Sequence, residues 1–198
     1  MKRICIAGGI GAGKSAVAAH LRALGWMVLD ADDAARTVSE PGRPAWRALC
    51  DAFGGAVVRL DGSLDRTFVA DIVFHDPSAL ARLNRITHHY IGDELRRELD
   101  AHSLATIFVA LPLFRPEHRE MFNFDEVWAM LVQPETAIHR LQTYRGFEEA
   151  DARARLAAQP SNPEREAVVD RVIWNEGSLD ELYARVDEAV QSAGLLRG

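Results

Sequence analysis

The segment that decides the fold runs Gly8-Gly9-Ile10-Gly11-Ala12-Gly13-Lys14-Ser15 and matches the phosphate-loop pattern G-x-x-x-x-G-K-[ST]. Residues 3–7 before it form an apolar run typical of a buried strand, and residues 14–24 after it have the pattern of a helix. In that setting the glycines let backbone N–H groups face phosphate oxygens, and the helix N-terminus adds partial positive charge. Lys14 can reach the β- and γ-phosphates, and the Ser15 hydroxyl can bind Mg²⁺. We therefore predict that this segment binds ATP with Mg²⁺, the alternative being a glycine-rich turn without a ligand.

The composition fits a globular protein of 198 residues, with 48% hydrophobic and 26% charged residues. That length allows one core domain with an inserted substructure, because domains commonly have about 100–200 residues. No apolar run of about 18 residues is present, which predicts that no helix spans a membrane. The formal charge of −6 argues against a general nucleic-acid-binding protein. Cys5 and Cys50 have no paired or metal-ligand spacing, so we expect reduced packing residues in a cytoplasmic protein.

Short apolar strands alternate with helices along the chain. Further strands are predicted at 26–29, 105–113, 126–132 and 168–174. Helices are predicted at 33–39, 45–53, 68–73, 77–99, 134–143, 148–158 and 178–193, with a turn-rich patch at 54–65. This alternation predicts an α/β fold of the P-loop NTPase type, a three-layer α/β/α arrangement with a parallel sheet. The helical stretch of about 31–103 is long for one crossover, so we expect it to form an inserted subdomain between core segments 1–30 and 104–198.

Two carboxylates follow the second predicted strand, in Asp30-Ala31-Asp32. The carboxyl ends of parallel strands are where ligands bind in α/β sheets. If the chain stays extended there, both carboxylates point the same way. One could then act as a general base, while the other orients it or holds Mg²⁺ through water. The alternative is that Asp32 or Asp33 caps the helix that follows.

From these residues outward, the chain resembles the dephospho-coenzyme A (dephospho-CoA) kinases. These P-loop enzymes use ATP and Mg²⁺ to phosphorylate the ribose 3′-hydroxyl of dephospho-CoA, the last step of coenzyme A synthesis. The similar segments follow one another in the family's order: G-G-I-G-A-G-K-S at 8–15, L-D-A-D at 29–32, F-G at 53–54, D-G-S-L-D-R at 61–66, V-F at 73–74, L-N-R-I-T-H at 83–88, R-G at 145–146 with Gln159, and D-R-V-I-W-N-E-G at 170–177.

On the acceptor side, the resemblance implies that Asp32 is the catalytic base and that Asp30 stands beside it. It implies that Arg66 and His88 bind dephospho-CoA as the small-molecule acceptor, within an inserted subdomain of 31–103. No nucleic acid and no membrane is expected as a partner, and the sequence does not indicate the oligomeric state.

On the donor side, the resemblance implies a small lid at about 145–165. Arg140 and Arg145 bracket its start and would clamp the phosphates of ATP, for which the forked donors of a guanidinium are well suited. Asn175 lies where the family holds the adenine region. For each arginine the alternative is a solvated surface charge. The break Pro160-Ser161-Asn162-Pro163 suggests a mobile connection.

The chain departs from the family pattern in two places. His88-His89 stands where the family has His-Pro, and the alternative to a changed acceptor floor is a differently shaped helix turn. In the segment 108–117 the acidic residue before Pro112 is missing, and Pro116 replaces a glutamate. Glu117 could substitute from one position further on, or Arg115 could bring positive charge to an acidic substrate.

These departures leave two other functions open. One is a related P-loop kinase that acts on another small hydroxyl acceptor. The other is a non-catalytic ATP-binding regulatory protein. Retention of Asp32 and Arg145 beside the intact phosphate loop argues against the second, because a protein that only holds a nucleotide needs neither a base nor a lid clamp.

Overall fold

The computed structural model describes residues 1–102 and 106–195. The chain divides into two compact units, Met1–Asp30 with Ala101–Gly198, and Ala31–Asp100. We refer to them as the core unit and the helical unit. None of the helices in the described residues is long and apolar enough to cross a membrane.

The core unit contains a sheet of five strands: β1 Arg3–Gly8, β2 Met27–Asp30, β3 Ile107–Ala110, β4 Glu126–Leu131 and β5 Arg171–Trp174. Their spatial order is β2-β3-β1-β4-β5, and every pairing is parallel. β3 and almost all of β1 and β4 are buried, as expected for strands covered on both faces. This parallel α/β sheet confirms the fold class predicted from the sequence.

Helices connect and follow the strands along the chain. They are α1 Lys14–Ala23, α2 Ala31–Val38, α3 Pro44–Phe53, α4 Arg66–His75, α5 Pro77–Ala101, α6 Pro116–Phe122, α7 Pro134–Arg145, α8 Glu149–Ala157, α9 Asn162–Glu166 and α10 Leu179–Ser192.

The main core lies between one face of the sheet and the helices α1 and α10. Ile4 and Ile6 of β1 pack with Leu21 of α1 and Val186 of α10. Because side chains alternate along a strand, Cys5 points to the opposite face, where it is also buried. With β3 on one side of β1 and β4 on the other, the strand order reverses at β1, so the loop after β1 lies at the binding edge of the sheet.

Two predicted strands are shorter in the structure. The strand predicted at 105–113 is confined to Ile107–Ala110, although Ala105 lies outside the described residues. Leu111 N still donates to Ile6 O, but Pro112 has no N–H and the ladder ends. The strand predicted at 168–174 begins only at Arg171.

Two short helices were missed. α6 begins with Pro116, which suits a first helical position. α9 begins within the break predicted at Pro160-Ser161-Asn162-Pro163 and continues to Glu166. Its cap is Ser161, whose hydroxyl accepts from Glu164 N while the Glu164 carboxylate accepts from Ser161 N. Helices of five to seven residues are too short to show a periodic apolar face.

The helical unit consists of α2 to α5 and a short 3₁₀ helix, Gly55–Val57. The turn-rich patch after α3 is closed by an isolated bridge between Val58 and Leu64. Trp46 Nε1 donates to Gly62 O at 2.9 Å and ties α3 to this patch. The helical unit is mainly α-helical, as the spacing of apolar residues in this part of the sequence predicted.

The burial pattern gives a test of the core. Leu21 is fully buried, whereas Leu179 at the start of α10 is 56% exposed. Leu21→Ala is expected to lower the free energy of unfolding by about 2–5 kcal/mol, because it leaves a cavity in the core. Leu179→Ala is expected to change it by less than about 0.5 kcal/mol. Urea denaturation followed by circular dichroism measures both, and equal losses would contradict the assigned core.

Candidate functional site

The phosphate loop leaves β1 at Gly8 and enters α1 through Gly13. Gly13 has φ 94° and Gly11 has φ 77°, both in the left-handed region that favours glycine. Ala12 N donates to Gly9 O at 3.2 Å, which closes the turn. The first N–H groups of α1 have no intrahelical acceptor, as at any helix start, and they carry partial positive charge. The local structure therefore forms an anion-binding concavity at the binding edge of the sheet.

The loop is packed so closely that side chains would not fit at its glycines. A Cβ on Gly8 would lie 2.7 Å from Met130 O of β4, and one on Gly13 would lie 2.3 Å from Asn175 Nδ2. At Gly11 the neighbour is Ala137 of α7, at 3.2–3.3 Å. The glycines thus serve a second purpose besides the tight turn, because they let neighbouring elements hold the loop in shape.

Asn175 and Arg140 brace the loop from the side of β5 and α7. Asn175 is buried, and its Nδ2 donates to Ala12 O at 3.0 Å. Arg140 donates through Nη2 to Asn175 Oδ1 at 3.3 Å and through Nη1 to Gly11 O at 3.4 Å. The structure therefore brings both predicted residues to the loop. Both polar atoms of the Asn175 side chain are engaged there, so this side chain acts on the loop itself.

A second pair of residues braces the other end of the loop, and sequence reasoning did not assign it to the site. Gln159 Oε1 accepts from Ile10 N at 3.0 Å and from Arg165 Nη2 at 3.0 Å. Arg165 is buried, with 8% of its surface exposed. Gln159 was part of the family resemblance, whereas Arg165 lies at the end of the predicted lid and was given no role. A helix of five residues has no periodic pattern that would distinguish a buried arginine from a solvent-exposed one in the sequence.

The segment predicted as a lid contains α8, which lies against α7. Ala152 packs with Ile138 and Leu141, and Ile10 of the phosphate loop is next to them. Gly146, with φ 67°, ends α7 and allows the reversal of the chain. α8 is thus in contact with the loop through Ile10.

Charged side chains also join α8 to α7. Arg153 Nη2 lies 3.1 Å from the Glu135 carboxylate, and its Nε lies 2.8 Å from that of Glu149. Both carboxylates raise the pKa of Arg153, and in turn Arg153 lowers the pKa of Glu135. By contrast, Arg145 is exposed at the last position of α7. Of the two predicted clamp residues, only Arg140 contacts the loop.

A cavity of about 790 Å³ adjoins the loop within the core unit. Its wall is formed by Gly9 and Ile10 of the loop, the end of β4, α8 and the segment from Gln159 to Glu166. That volume is in the range of small-molecule sites in proteins. The loop therefore faces a space large enough for a nucleotide.

Asp30 lies at the same edge of the sheet as the loop. It is the last residue of β2, in register with Ala110 of β3, which pairs in turn with Ile6 of β1. Two strand spacings separate β2 from β1, about 10 Å. The side chain is half-buried.

The other predicted acceptor residues belong to the helical unit. α2 begins directly at Ala31, so the expected extended alternation of Asp30 and Asp32 was wrong. The capping alternative was wrong too, because Asp32 and Asp33 lie inside the first turn of α2. The helix starts early because Ala31, Ala34 and Val38 form one buried face. Asp32 is exposed, and Asp33 pairs with Arg36 at 2.7 Å.

Arg66 and His88 lie on different helices of this unit. Arg66 is the first residue of α4, and its Nη2 donates to Ser39 Oγ at 2.9 Å. His88 is exposed within α5, and His89 Nε2 lies 3.5 Å from an oxygen of Asp93. α5 runs through both histidines, so they do not start a new helix turn.

The altered segment after β3 lines a second cavity, of about 230 Å³, that reaches Gly8 at the start of the loop. Phe114 is buried in its wall, and Arg115 is exposed. Arg115 Nη1 lies 4.0 Å from Glu117 Oε1, so the two charges that the sequence offered as alternatives stand next to each other.

Comparison with known proteins is consistent with this geometry. The family profile described as dephospho-CoA kinase matches residues 3–181. The chain belongs to the dephospho-CoA kinase family. The resemblance stated from the sequence is therefore confirmed over nearly the whole chain.

Individual members of the dephospho-CoA kinase family align over almost their full lengths. The dephospho-CoA kinase of Thermobifida fusca is 40% identical over 188 residues, 95% of this chain and 94% of that protein. That of Streptomyces avermitilis is 42% identical over 189 residues, 95% and 92% respectively. Among solved structures, TT1252 from Thermus thermophilus superposes with a TM-score of 0.80 at 31% identity, covering 100% and 98% of the two chains. The dephospho-CoA kinase from Campylobacter jejuni shares the fold, with a TM-score of 0.67 at 21% identity and 96% coverage of each chain.

The tight packing of the loop can be tested with Gly13 and Gly25, which both have φ in the left-handed region. Gly25 has φ 87°, and a Cβ there would meet nothing within 4 Å. Gly25→Ala should therefore lower the free energy of unfolding by only about 1–2 kcal/mol, because alanine is strained in the left-handed conformation. Gly13→Ala should lose at least about 1 kcal/mol more, since its Cβ collides with Asn175. Urea denaturation compares them, and equal losses would show that Asn175 does not hold the loop.

Proposed function

We propose that this protein transfers the γ-phosphoryl group of ATP to the ribose 3′-hydroxyl of dephospho-CoA, giving coenzyme A and ADP. The observation that carries this proposal is an intact, braced phosphate loop in a chain that matches the family over residues 3–181. In the reaction, the 3′-oxygen forms a bond to phosphorus while the bond to the β-phosphate oxygen breaks. ADP leaves with the electron pair, and the hydroxyl proton passes to a base.

Within the core unit, catalysis requires mainly positioning and charge stabilisation. The loop N–H groups and the start of α1 would hold the phosphates of ATP. Lys14 is the first residue of α1, and its ammonium would neutralise charge on the β- and γ-phosphates. Arg140 would act through the loop and Asn175, because its guanidinium already contacts both. Arg145, exposed next to Gly146 at the end of α7, would clamp phosphates from the lid.

The oxygen donors at this edge of the sheet fit Mg²⁺. The ion prefers hard oxygen ligands and is usually held by one or two protein groups together with substrate phosphates and water. The Ser15 hydroxyl, exposed in the first turn of α1, would bind it directly, and Asp30 would do so through water. The described residues contain no cluster of three His, Cys, Asp or Glu side chains able to hold a metal. Mg²⁺ bound with ATP would supply charge neutralisation on the phosphates.

On the acceptor side, we assign the base to Asp32, with Arg66 and His88 as contacts to dephospho-CoA. Asp32 presents an exposed carboxylate in the first turn of α2, and Arg66 and His88 are exposed as well. A carboxylate that accepts the hydroxyl proton in the transition state typically contributes a factor of about 10²–10⁴ in rate. The cytoplasmic location expected from the sequence remains a prediction.

The proposal is tested by incubating the protein with ATP, Mg²⁺ and dephospho-CoA and detecting coenzyme A by mass. Asp32→Asn should lower kcat by about 10²–10⁴-fold with little change in ATP affinity, because it removes only the base. The matched control is Asp33→Asn, which removes the neighbouring carboxylate in the same helical turn and should leave kcat nearly unchanged. ATP binding without any coenzyme A would refute dephospho-CoA as the acceptor. A panel of other small hydroxyl compounds would then separate a related kinase from a non-catalytic nucleotide-binding protein.

Lys14→Ala should weaken ATP binding and lower kcat by about 10²–10³-fold, because it removes the positive charge closest to the transferred group. Lys2→Ala is the control, since Lys2 pairs with Glu126 at the opposite end of the sheet. Isothermal titration calorimetry gives the affinity, and steady-state kinetics give kcat. Wild-type values for Lys14→Ala would mean that the loop does not bind phosphate as assigned.

A further inference from the structure

α9 carries an arginine whose charge is buried without a carboxylate in its hydrogen bonds. Arg165 is 8% exposed, its Nε donates to Pro160 O at 3.0 Å, and its Nη2 donates to Gln159 Oε1 at 3.0 Å. Both acceptors are uncharged oxygens. The neighbouring Glu164 directs its Oε2 to Ser161 N and Oγ, each at 2.7 Å. The positive charge of Arg165 is therefore only partly balanced by the protein.

A buried charge without a close counter-charge destabilises a folded chain. In agreement, burial lowers the pKa of Arg165, and Glu164 offsets this only in part. A bound anion would balance the charge. The guanidinium is thus best suited to an anionic ligand that arrives from outside the chain.

The position of Arg165 indicates which ligand this is. A Cβ on Gly9 would lie 3.2 Å from Arg165 Nη2, so the guanidinium lies against the phosphate loop. The same Gln159 Oε1 accepts from Arg165 and from Ile10 N, at 3.0 Å in each case. One oxygen thus receives a loop N–H and a guanidinium N–H together. An oxygen of a phosphate group would be bound in the same way.

Arg165 also lines both cavities that reach the loop, the one of about 790 Å³ and the one of about 230 Å³. Gly9 and Ile10 lie at the end of the loop farther from the helix that carries Lys14. A phosphate chain bound along the loop would therefore have Lys14 and the start of α1 at one side and Arg165 at the other.

We propose that Arg165 is a further phosphate-binding residue, whose guanidinium binds an oxygen of the transferred γ-phosphoryl group together with the N–H of Ile10. Gln159 Oε1 holds this position until the nucleotide enters. The proposal rests on the proposed function in taking ATP as the phosphoryl donor, and it is independent of the identity of the acceptor.

The test compares two nucleotides that differ only in the γ-position. Binding of ADP and of the non-hydrolysable ATP analogue with a β,γ-imido bridge is measured by calorimetry with Mg²⁺ for each variant. Arg165→Met should weaken binding of the ATP analogue by about 10- to 100-fold, which is the range for a lost hydrogen bond to a charged group. It should change ADP affinity by less than about threefold. Arg165→Lys should show the same preference with a smaller loss, and it keeps the test decisive if the methionine variant does not fold.

Two control variants separate phosphate binding from a structural role. Gln159→Ala removes the oxygen that Ile10 N and Arg165 Nη2 share, and it should change the affinities for ADP and for the analogue by the same factor, because it takes away no group that binds the γ-phosphate. If Arg165 acted only through Gln159, both variants would lose affinity alike for both nucleotides, and the proposal would be wrong. Arg22→Met, near the far end of α1, should alter neither affinity.

A rise in the KM for dephospho-CoA in Arg165→Met, with unchanged nucleotide affinities, would assign Arg165 to the acceptor site and would also overturn the proposal. Wild-type protein that bound neither nucleotide would refute the nucleotide site itself, which separates that failure from the failure of Arg165 alone.

Discussion

Neighbouring elements approach the phosphate loop so closely that they determine its shape, and the nucleotide site is built around that loop. The backbone between β1 and α1 can present its N–H groups to phosphate only in a conformation that forms an anion-binding concavity. β4 comes within 2.7 Å of where a Cβ of Gly8 would stand, and Asn175 within 2.3 Å of one on Gly13. Each contact fills the space that glycine leaves. The loop is therefore shaped by β4, α7 and the end of β5, and not by its own sequence alone.

This arrangement concentrates positive charge where the phosphates would lie. Lys14 and the start of α1 contribute from one end of the loop, Arg140 contacts its middle at Gly11, and Arg165 lies against Gly9 at the other end. Charges of one sign held close together repel each other, which costs folding stability. Such a cost is typical of binding sites, where the ligand supplies the balancing charge. The altered segment with Arg115 lines a cavity next to the same loop, so it adjoins the site without changing the residues that hold the phosphates.

Prediction from the sequence succeeded where the determining contacts are local. The strand, loop and helix around Gly8–Ser15 follow from glycine positions and apolar runs within about twenty residues of each other. It failed where one proline or one short helix decides the boundary, as at Pro112 and in α9. It also failed at Asp32, because a buried alanine face starts α2 one residue after the strand and removes the extended alternation.

The parallel α/β class, the phosphate loop and membership of the dephospho-CoA kinase family could all be predicted from the sequence, since these depend on motifs and periodicities that are complete within short segments. The position of Gln159 and Arg165 beside the phosphate loop is evident only in the folded chain. Ile10 and Gln159 are separated by 149 positions along the chain, and they meet because β1 lies beside β4, from which α7 and α8 lead back to the loop. A hydrogen bond across that separation is set by strand order and helix packing, which leave no local pattern. Burial, which turns Arg165 from a surface charge into a candidate phosphate ligand, is likewise a property of the assembled fold.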